Sequence, residues 1–367
     1  MAGAIRQPID IEALSQYITK TVPQIKTPLQ VKQFGYGQSN PTYQLTDATG
    51  KRYVMRKKPP GQLLSKTAHQ VEREYRIIHA LENTNVPVPK AYCLCEDSSV
   101  VGTPFYIMEF LDGRIFEDAH FPGVSPAERT ELWKSAVQTL AKFHTVSPAS
   151  VGLTDFGRAN GFYNRQLKTF NAIQDAQSKA RDKDTDVPVG KILHFDDMVA
   201  FFGNPKTQPE DRSTFVHGDY KIDNVVFHKT EPRVIGILDW EMATIGHPLA
   251  DLSNLLTPYT TAQLGFGEDN SRVNTNFRPG ALEGLPTKEQ AIAWYREVAG
   301  WDPAPVIGWG DAFALYRGTI IIQGIAARYA MRVASSAKAL DYAKQLNPYA
   351  EAAWSLIERL KGNKANL

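Results

Sequence analysis

The chain has 367 residues, 43% hydrophobic and 22% charged, with a formal net charge of +2. That length accommodates two lobes with separate cores, and so small a charge gives no global basic field, which leaves nucleic acid out as an expected partner. The two cysteines, Cys93 and Cys95, are two positions apart and can form at most one local bridge, so a disulfide framework is excluded and a reducing, cytoplasmic compartment is expected.

Between Met1 and Thr21, Arg6, Asp10 and Glu12 break up the apolar residues, so the stretch lacks the h-region of a signal peptide. Ile11, Leu14, Tyr17 and Ile18 predict a short leading helix, closed by Pro23. Leu29 to Phe34 alternates as a strand, Gly35-Tyr36-Gly37-Gln38-Ser39-Asn40 turns, and Thr42 to Leu45 resumes a strand. A third strand, Lys51 to Arg56, ends in a basic cluster with Lys57 and Lys58. A helix from about Thr67 to Glu82 follows, with Thr67 and Gln70 as a capping box and Val71, Tyr75, Ile78 and Leu81 on its apolar face. Two extended segments, Ala91 to Glu96 and Phe105 to Phe110, flank a turn at Asp97-Ser98-Ser99. The run then breaks at Gly113, which places a lobe boundary near Leu111 to Arg114, with residues 1–111 in one lobe and 112–367 in the other.

Beyond the boundary Ser125-Pro126-Ala127-Glu128 opens a long helix through His144, a histidine expected to be packed or at the surface. Helices are expected around Tyr163 to Ala180, Phe195 to Phe202, Asp251 to Leu256, Thr287 to Val298, Asp311 to Ala334 and Pro348 to Lys361. The most apolar stretch, Ile320 to Met331, holds Gln323 and Arg328 and is too short to span a bilayer, so no membrane partner is expected.

The most informative stretch lies between these helices. Phe215-Val216-His217-Gly218-Asp219 runs through Asn224 into an apolar strand, Val225 to His228; Pro232 stops the ladder in the following turn, and Arg233 to Leu238 returns the chain to Asp239. A hairpin of this kind brings Asn224 and Asp239 together as oxygen ligands for a hard cation such as Mg²⁺. His-x-Asp, four residues and Asn, then a second Asp, is the kinase order, in which the first Asp is the base for the attacking hydroxyl. Asp219 therefore stands as the candidate base and Asn224 and Asp239 as the candidate metal ligands.

That pattern gives the upstream elements a meaning. Gly35, Gly37 and Ser39 become candidates to face nucleotide phosphates, although a Gly-x-Gly pair also serves ordinary hairpins and the third glycine of the kinase pattern is absent. Laying Tyr53-Val54-Met55-Arg56 on the kinase Val-Ala-Ile-Lys segment puts Arg56 in the place of the phosphate-binding Lys, with Lys58, on the same strand face, as a second candidate. Glu72 and Glu74 are both available to pair with this cation, and Glu74 is on the inward side between Val71 and Ile78. At the lobe boundary the backbone of Glu109 and Leu111 is placed to meet adenine. Arg165, Arg317 and Arg328 could meet an anionic acceptor, or equally form local ion pairs.

Together these residues, with Gly37-Gln38-Ser39-Asn40-Pro41-Thr42, Val71-Glu72-Arg73-Glu74, Leu238-Asp239-Trp240-Glu241 and Gly246-His247-Pro248-Leu249-Ala250-Asp251-Leu252, make the chain resemble the aminoglycoside phosphotransferase family of small-molecule kinases. Within it the chain is similar to the kinase-like domain of acyl-CoA dehydrogenase family members 10 and 11. The resemblance implies an α+β, bilobal protein-kinase-like fold, with an antiparallel-sheet nucleotide-binding N-lobe and a mainly helical catalytic and substrate-binding C-lobe. It implies ATP or GTP as donor, Mg²⁺, and a small hydroxylated acceptor, with hydroxyacyl thioesters of coenzyme A suggested by the branch. It also places His217 and Asp251 in support of the catalytic loop. Gly218 replaces the Arg that many protein kinases use to meet a phosphorylated activation loop, which favours a small acceptor over a protein. A nucleotide-binding pseudokinase and a kinase for aminoglycosides, amino alcohols or sugars are the competing readings.

Overall fold

The computed structural model describes residues 2–35, 40–60, 70–264, 274–334 and 338–365. The N-terminal sheet is antiparallel throughout, with strands β1 (Ala2–Gly3), β2 (Gln30–Phe34), β3 (Thr42–Thr46), β4 (Arg52–Lys57), β5 (Ala91–Cys95) and β6 (Phe105–Glu109) in the order β1-β2-β3-β4-β6-β5. Alternation along each strand divides the side chains between two faces. Tyr43, Leu45, Tyr53, Met55, Phe105 and Ile107 take one face, where they bury Leu14 and Ile18 of helix α1 (Ile11–Thr21). Asp10 caps α1, its carboxylate accepting from the Ala13 amide at 2.9 Å. The other face carries Arg56, whose register partners are Thr42 on β3 and Tyr106 on β6. Helix α2 (Val71–Leu81) brings Glu74 to this row. Thr67 of the expected capping box lies outside the described residues, and Gln70 stands at the N-cap of α2. The turn expected at Asp97 to Ser99 is a one-turn helix, α3 (Ser98–Val101), capped by Asp97.

The fold is bilobal α+β, an antiparallel sheet followed by a largely helical region, and the chain divides into two compact units. The first comprises residues 1–117, 146–154 and 217–243, so the hairpin of β8 (Val225–Phe227) and β9 (Val234–Ile237) belongs with the N-terminal sheet. The second holds α4 (Pro126–Thr145), α5 (Phe162–Ser178), α6 (Phe195–Gly203), α7 (Leu249–Leu264), α8 (Lys288–Ala299), α9 (Ile307–Ala330), α10 (Ala339–Ala343) and α11 (Leu346–Ala365). It also holds a small ribbon in which β7 (Thr214–Val216) pairs with β10 (Thr244–Gly246). Its core is aromatic: Tyr163, Phe170, Phe202, Trp309, Phe313 and Tyr316 are all buried in one cluster. At the start of α8, Thr287 and Gln290 form the reciprocal capping box. Among the described residues no helix is long and apolar enough to cross a membrane.

One buried polar group of this unit sets a pH dependence. His247 is fully buried, its Nε2 donating to the Glu210 carbonyl at 3.1 Å and its Nδ1 accepting from the Leu249 amide at 3.1 Å. Burial holds its pKa down at about 4 against an ordinary 6.5, and Nδ1 has no room for a proton while it accepts an N–H. The unfolded chain therefore takes up a proton below pH 6.5 that the folded chain refuses until about pH 4. Stability from this residue is undiminished above the upper value and falls across that window, by about 2 kcal/mol between pH 7 and pH 5. Urea titrations at the two pH values are expected to show the native chain losing about that much stability relative to His247→Asn as pH falls from 7 to 5, a difference from which the contributions of all other groups cancel.

Candidate active site

Every candidate base, metal and phosphate-binding side chain that can be described lies in the first unit. Arg56 is its centre. The Arg56 side chain is 10% exposed, and its Nη1 lies 3.2 Å from Glu74 Oε2 and 3.1 Å from Asp239 Oδ1. Nη2 donates to the same Asp239 oxygen at 3.1 Å and approaches Glu241 Oε2 at 3.9 Å. Lys58 instead pairs with Glu72 at 2.5 Å, and Lys57, on the opposite face, donates to the Val101 carbonyl. Burial alone would lower the Arg56 pKa, but Glu74, Tyr106 and Asp239 reverse this and hold it above its ordinary value. Glu74 is wholly buried, its Oε1 accepting from Asn40 Nδ2 at 2.7 Å and its Oε2 from the Tyr106 hydroxyl at 2.9 Å. Burial pushes the Glu74 carboxyl up to about 7, against the pull of Arg56 and Tyr106.

The loop that carries Asp219 is tied to the hairpin by contacts to its main chain. His217 Nε2 donates to the Leu238 carbonyl at 2.9 Å, while its Nδ1 accepts from the Asp219 amide at 3.2 Å, so one buried ring joins the residue before Asp239 to Asp219. The Leu238 amide donates to the Asn224 carbonyl at 2.9 Å. Gly218 has φ 86°, and a Cβ there would lie 2.8 Å from both Met242 Cβ and the Met242 carbonyl oxygen, so only glycine allows this approach. Asp239 itself is left-handed, with φ 64° and ψ 59°, a conformation Asp tolerates better than most residues. Asn224 Nδ2 donates to the Asp219 carbonyl at 2.9 Å and to Asp219 Oδ2 at 3.1 Å. The nitrogen end of the amide thereby faces Asp219, which turns Asn224 Oδ1 away from it.

These contacts test the fit of the implied groups. Among the described residues no group donates to Asn224 Oδ1 or Asp239 Oδ2, oxygen atoms on side chains fixed through their other atoms. Among the described residues no three His, Cys, Asp or Glu side chains gather into a metal nest, and a pair of protein oxygens completed by phosphate and water is what Mg²⁺ accepts. For the nucleotide, Arg56 Nε is a buried donor without an acceptor among the described residues, which suits a phosphate oxygen. The residues fit both groups.

The other sequence candidates are distributed as follows. Gly37 and Ser39 lie outside the described residues, and Gly35 directly follows β2 in open space. Glu109 ends β6, and Leu111 packs on β9, where a Cβ on Gly236 would lie 2.0 Å from Leu111 Cδ1. In the second unit Asp251 is buried and accepts from His144 Nε2 at 3.2 Å, while His144 Nδ1 meets the Tyr295 hydroxyl at 2.7 Å. Arg165 donates to the carbonyls of Arg158, at 2.9 Å, and Asn160, and Arg317 donates to Asn254 at 3.3 Å. Arg328 is in the last turn of α9, about 16 Å along the axis from Arg317, so these arginines do not form one cluster. Sequence reasoning passed over Asn40, two residues ahead of β3, Tyr106, which stands opposite Arg56 in the β4–β6 ladder, and Lys221, whose ammonium stands 3.6 Å from Asp219 and 3.1 Å from Asp223.

Comparison with known proteins agrees with this geometry. Residues 30–313 match the model of the phosphotransferase enzyme family, APH. The chain is 37% identical to acyl-CoA dehydrogenase family member 11 of Gallus gallus over 96% of its own length and 44% of that protein's. It is 37% identical to the probable acyl-CoA dehydrogenase IBR3 of Arabidopsis thaliana, over 95% and 43%. It thus spans less than half the length of these curated relatives. A crystal structure from Ralstonia eutropha, described as a candidate aminoglycoside phosphotransferase, superposes with a TM-score of 0.81 at 35% identity, covering 96% of this chain and 99% of that one. The chain belongs to the aminoglycoside phosphotransferase family and is a phosphotransferase, related to the kinase-like region of the acyl-CoA dehydrogenase family members.

Proposed function

We propose that the chain transfers the γ-phosphoryl group of ATP, with Mg²⁺, to a hydroxyl of a hydroxyacyl thioester of coenzyme A. The arrangement that carries this reading is Asp219, Asn224, Asp239 and Arg56 on one rigidly bonded framework. Asp219 accepts the hydroxyl proton as the acceptor oxygen bonds to the γ-phosphorus and the bridging oxygen leaves with ADP. Asn224 and Asp239 would hold the cation, which offsets charge on the phosphates. Arg56 turns its unmatched N–H toward the phosphates, and Lys221 adds positive charge beside the base. A shared fold with the streptomycin–ATP complex of APH(2″)-IIa, TM-score 0.54 at 16% identity, supports ATP as the donor. The acyl-CoA dehydrogenase names of the relatives support the acceptor class. We place the nucleotide on residues 1–111 and the acceptor on residues 112–367.

The test is a product screen by mass spectrometry with ATP and Mg²⁺ across hydroxyacyl-CoAs, sugars, amino alcohols and aminoglycosides. A phosphorylated hydroxyacyl-CoA is expected. A product only from aminoglycosides, amino alcohols or sugars replaces the acceptor, and no product from any class with intact ATP binding overturns the hydroxyacyl-CoA reading and places the acceptor outside these classes.

A further inference from the structure

We infer that Asn40 is a positioning residue for phosphate binding, acting through Glu74 on Arg56, with Tyr106 as its counterpart on the other carboxylate oxygen. The inference rests on the nucleotide reading above. A wholly buried carboxylate is stable only when its oxygens are matched by donors. Glu74 meets that condition with a different set on each oxygen. Oε1 takes the Asn40 amide at 2.7 Å, and Oε2 takes the Tyr106 hydroxyl at 2.9 Å and Arg56 at 3.2 Å.

The sheet explains why these residues can do so. Arg56 and Tyr106 are directly opposite in the β4–β6 ladder, and Thr42, on the far side of Arg56, follows Asn40 by two residues and donates to its carbonyl at 3.0 Å. Asn40 also ends the Gly-Tyr-Gly-Gln-Ser-Asn run. One residue therefore links the start of β3 to the carboxylate that aims Arg56. Without the Asn40 amide, Oε1 loses its donor, the carboxyl can rotate or take up a proton, and Arg56 is left to be held by Asp239 and Glu241.

The role separates from simple packing by its dependence on phosphate and on Glu74. Titration calorimetry with ATP and with adenosine is the measurement, with thermal melts run alongside. Asn40→Ala is expected to weaken ATP binding about 10-fold, to leave adenosine within about 2-fold, and to have less than half that effect on a log scale in a Glu74→Gln background. Should Asn40→Ala fail to fold, Tyr106→Phe, which removes one hydroxyl, carries the same comparison with a loss of about 3-fold for ATP alone. Equal losses for ATP and adenosine, or an undiminished effect in Glu74→Gln, overturn the inference. Native protein that binds ATP while both variants bind it normally overturns this inference alone. Native protein that binds neither ligand overturns the nucleotide reading together with it.

Discussion

Asp219→Asn is expected to cut phosphoryl transfer by about 10²- to 10⁴-fold, the range over which a positioned base contributes, while ATP binding stays within about 2-fold. The substitution is nearly isosteric, so the loop should keep its place: the Asp219 amide still donates to His217, and its carbonyl still accepts from Asn224. What is lost is the proton acceptor. The Asn224 amide, which donates to Asp219 Oδ2 at 3.1 Å, retains an oxygen partner if the new amide presents its carbonyl there. Lys221 loses one of its two carboxylate neighbours but keeps Asp223 at 3.1 Å. A fall in kcat with little change in the KM for ATP, together with an unchanged melting temperature, is the result that matches a base. Transfer at the native rate removes Asp219 from that role.

Local pattern made much of this site legible, and long-range contact made the rest illegible. The alternation in β4 already separates Arg56 from Met55, and the apolar spacing of α2 already turns Glu74 inward. Kinase order gave Asp219, Asn224 and Asp239. Nothing local announces that Asn40 and Tyr106 meet on one carboxylate, because that depends on the register of β3 and β6 against β4. Helix α9 begins at Ile307, ahead of the expected Asp311, because Gly308 and Gly310, poor helix formers in isolation, permit close packing: a Cβ on Gly310 would lie 2.3 Å from Ser253 Oγ. Helix α7 likewise runs through Pro258, which a local rule reads as a break. The ribbon of Thr214–Val216 with Thr244–Gly246 is too short to show a period at all.

The largest stability effect is expected from Arg56→Met. Removing one partner of a buried pair costs about 3–5 kcal/mol, here the lost contacts of Arg56 to Glu74, Asp239 and Glu241 together with the carboxyl left behind, whose charge adds to the cost as pH rises past about 7. Here the remaining charge is Glu74, wholly buried, with Asp239 and Glu241 already raising its pKa. Asn40 and Tyr106 would still donate to it, but neither carries a positive charge. Replacing Glu74 by Gln in the same chain should recover a large part of the loss, since an uncharged amide can keep an oxygen toward Tyr106 or Asn40. The double variant is thus expected to be more stable than Arg56→Met alone while remaining without transfer activity. The single variant should also be pH-dependent in a definite sense. A carboxyl whose folded pKa is raised favours the fold below its unfolded value, ordinarily 4.5, and loses that stability as pH rises through the folded one, which is already about 7 with Arg56 in place. Arg56→Met raises it further, so its deficit relative to the native chain should be smaller at pH 5 than at pH 8, and the deficit of Arg56→Met with Glu74→Gln should not change between them. Urea denaturation of the three chains at both pH values checks the sign, and a deficit in Arg56→Met that is the same at both pH values would show that the buried charge of Glu74 is not its cause.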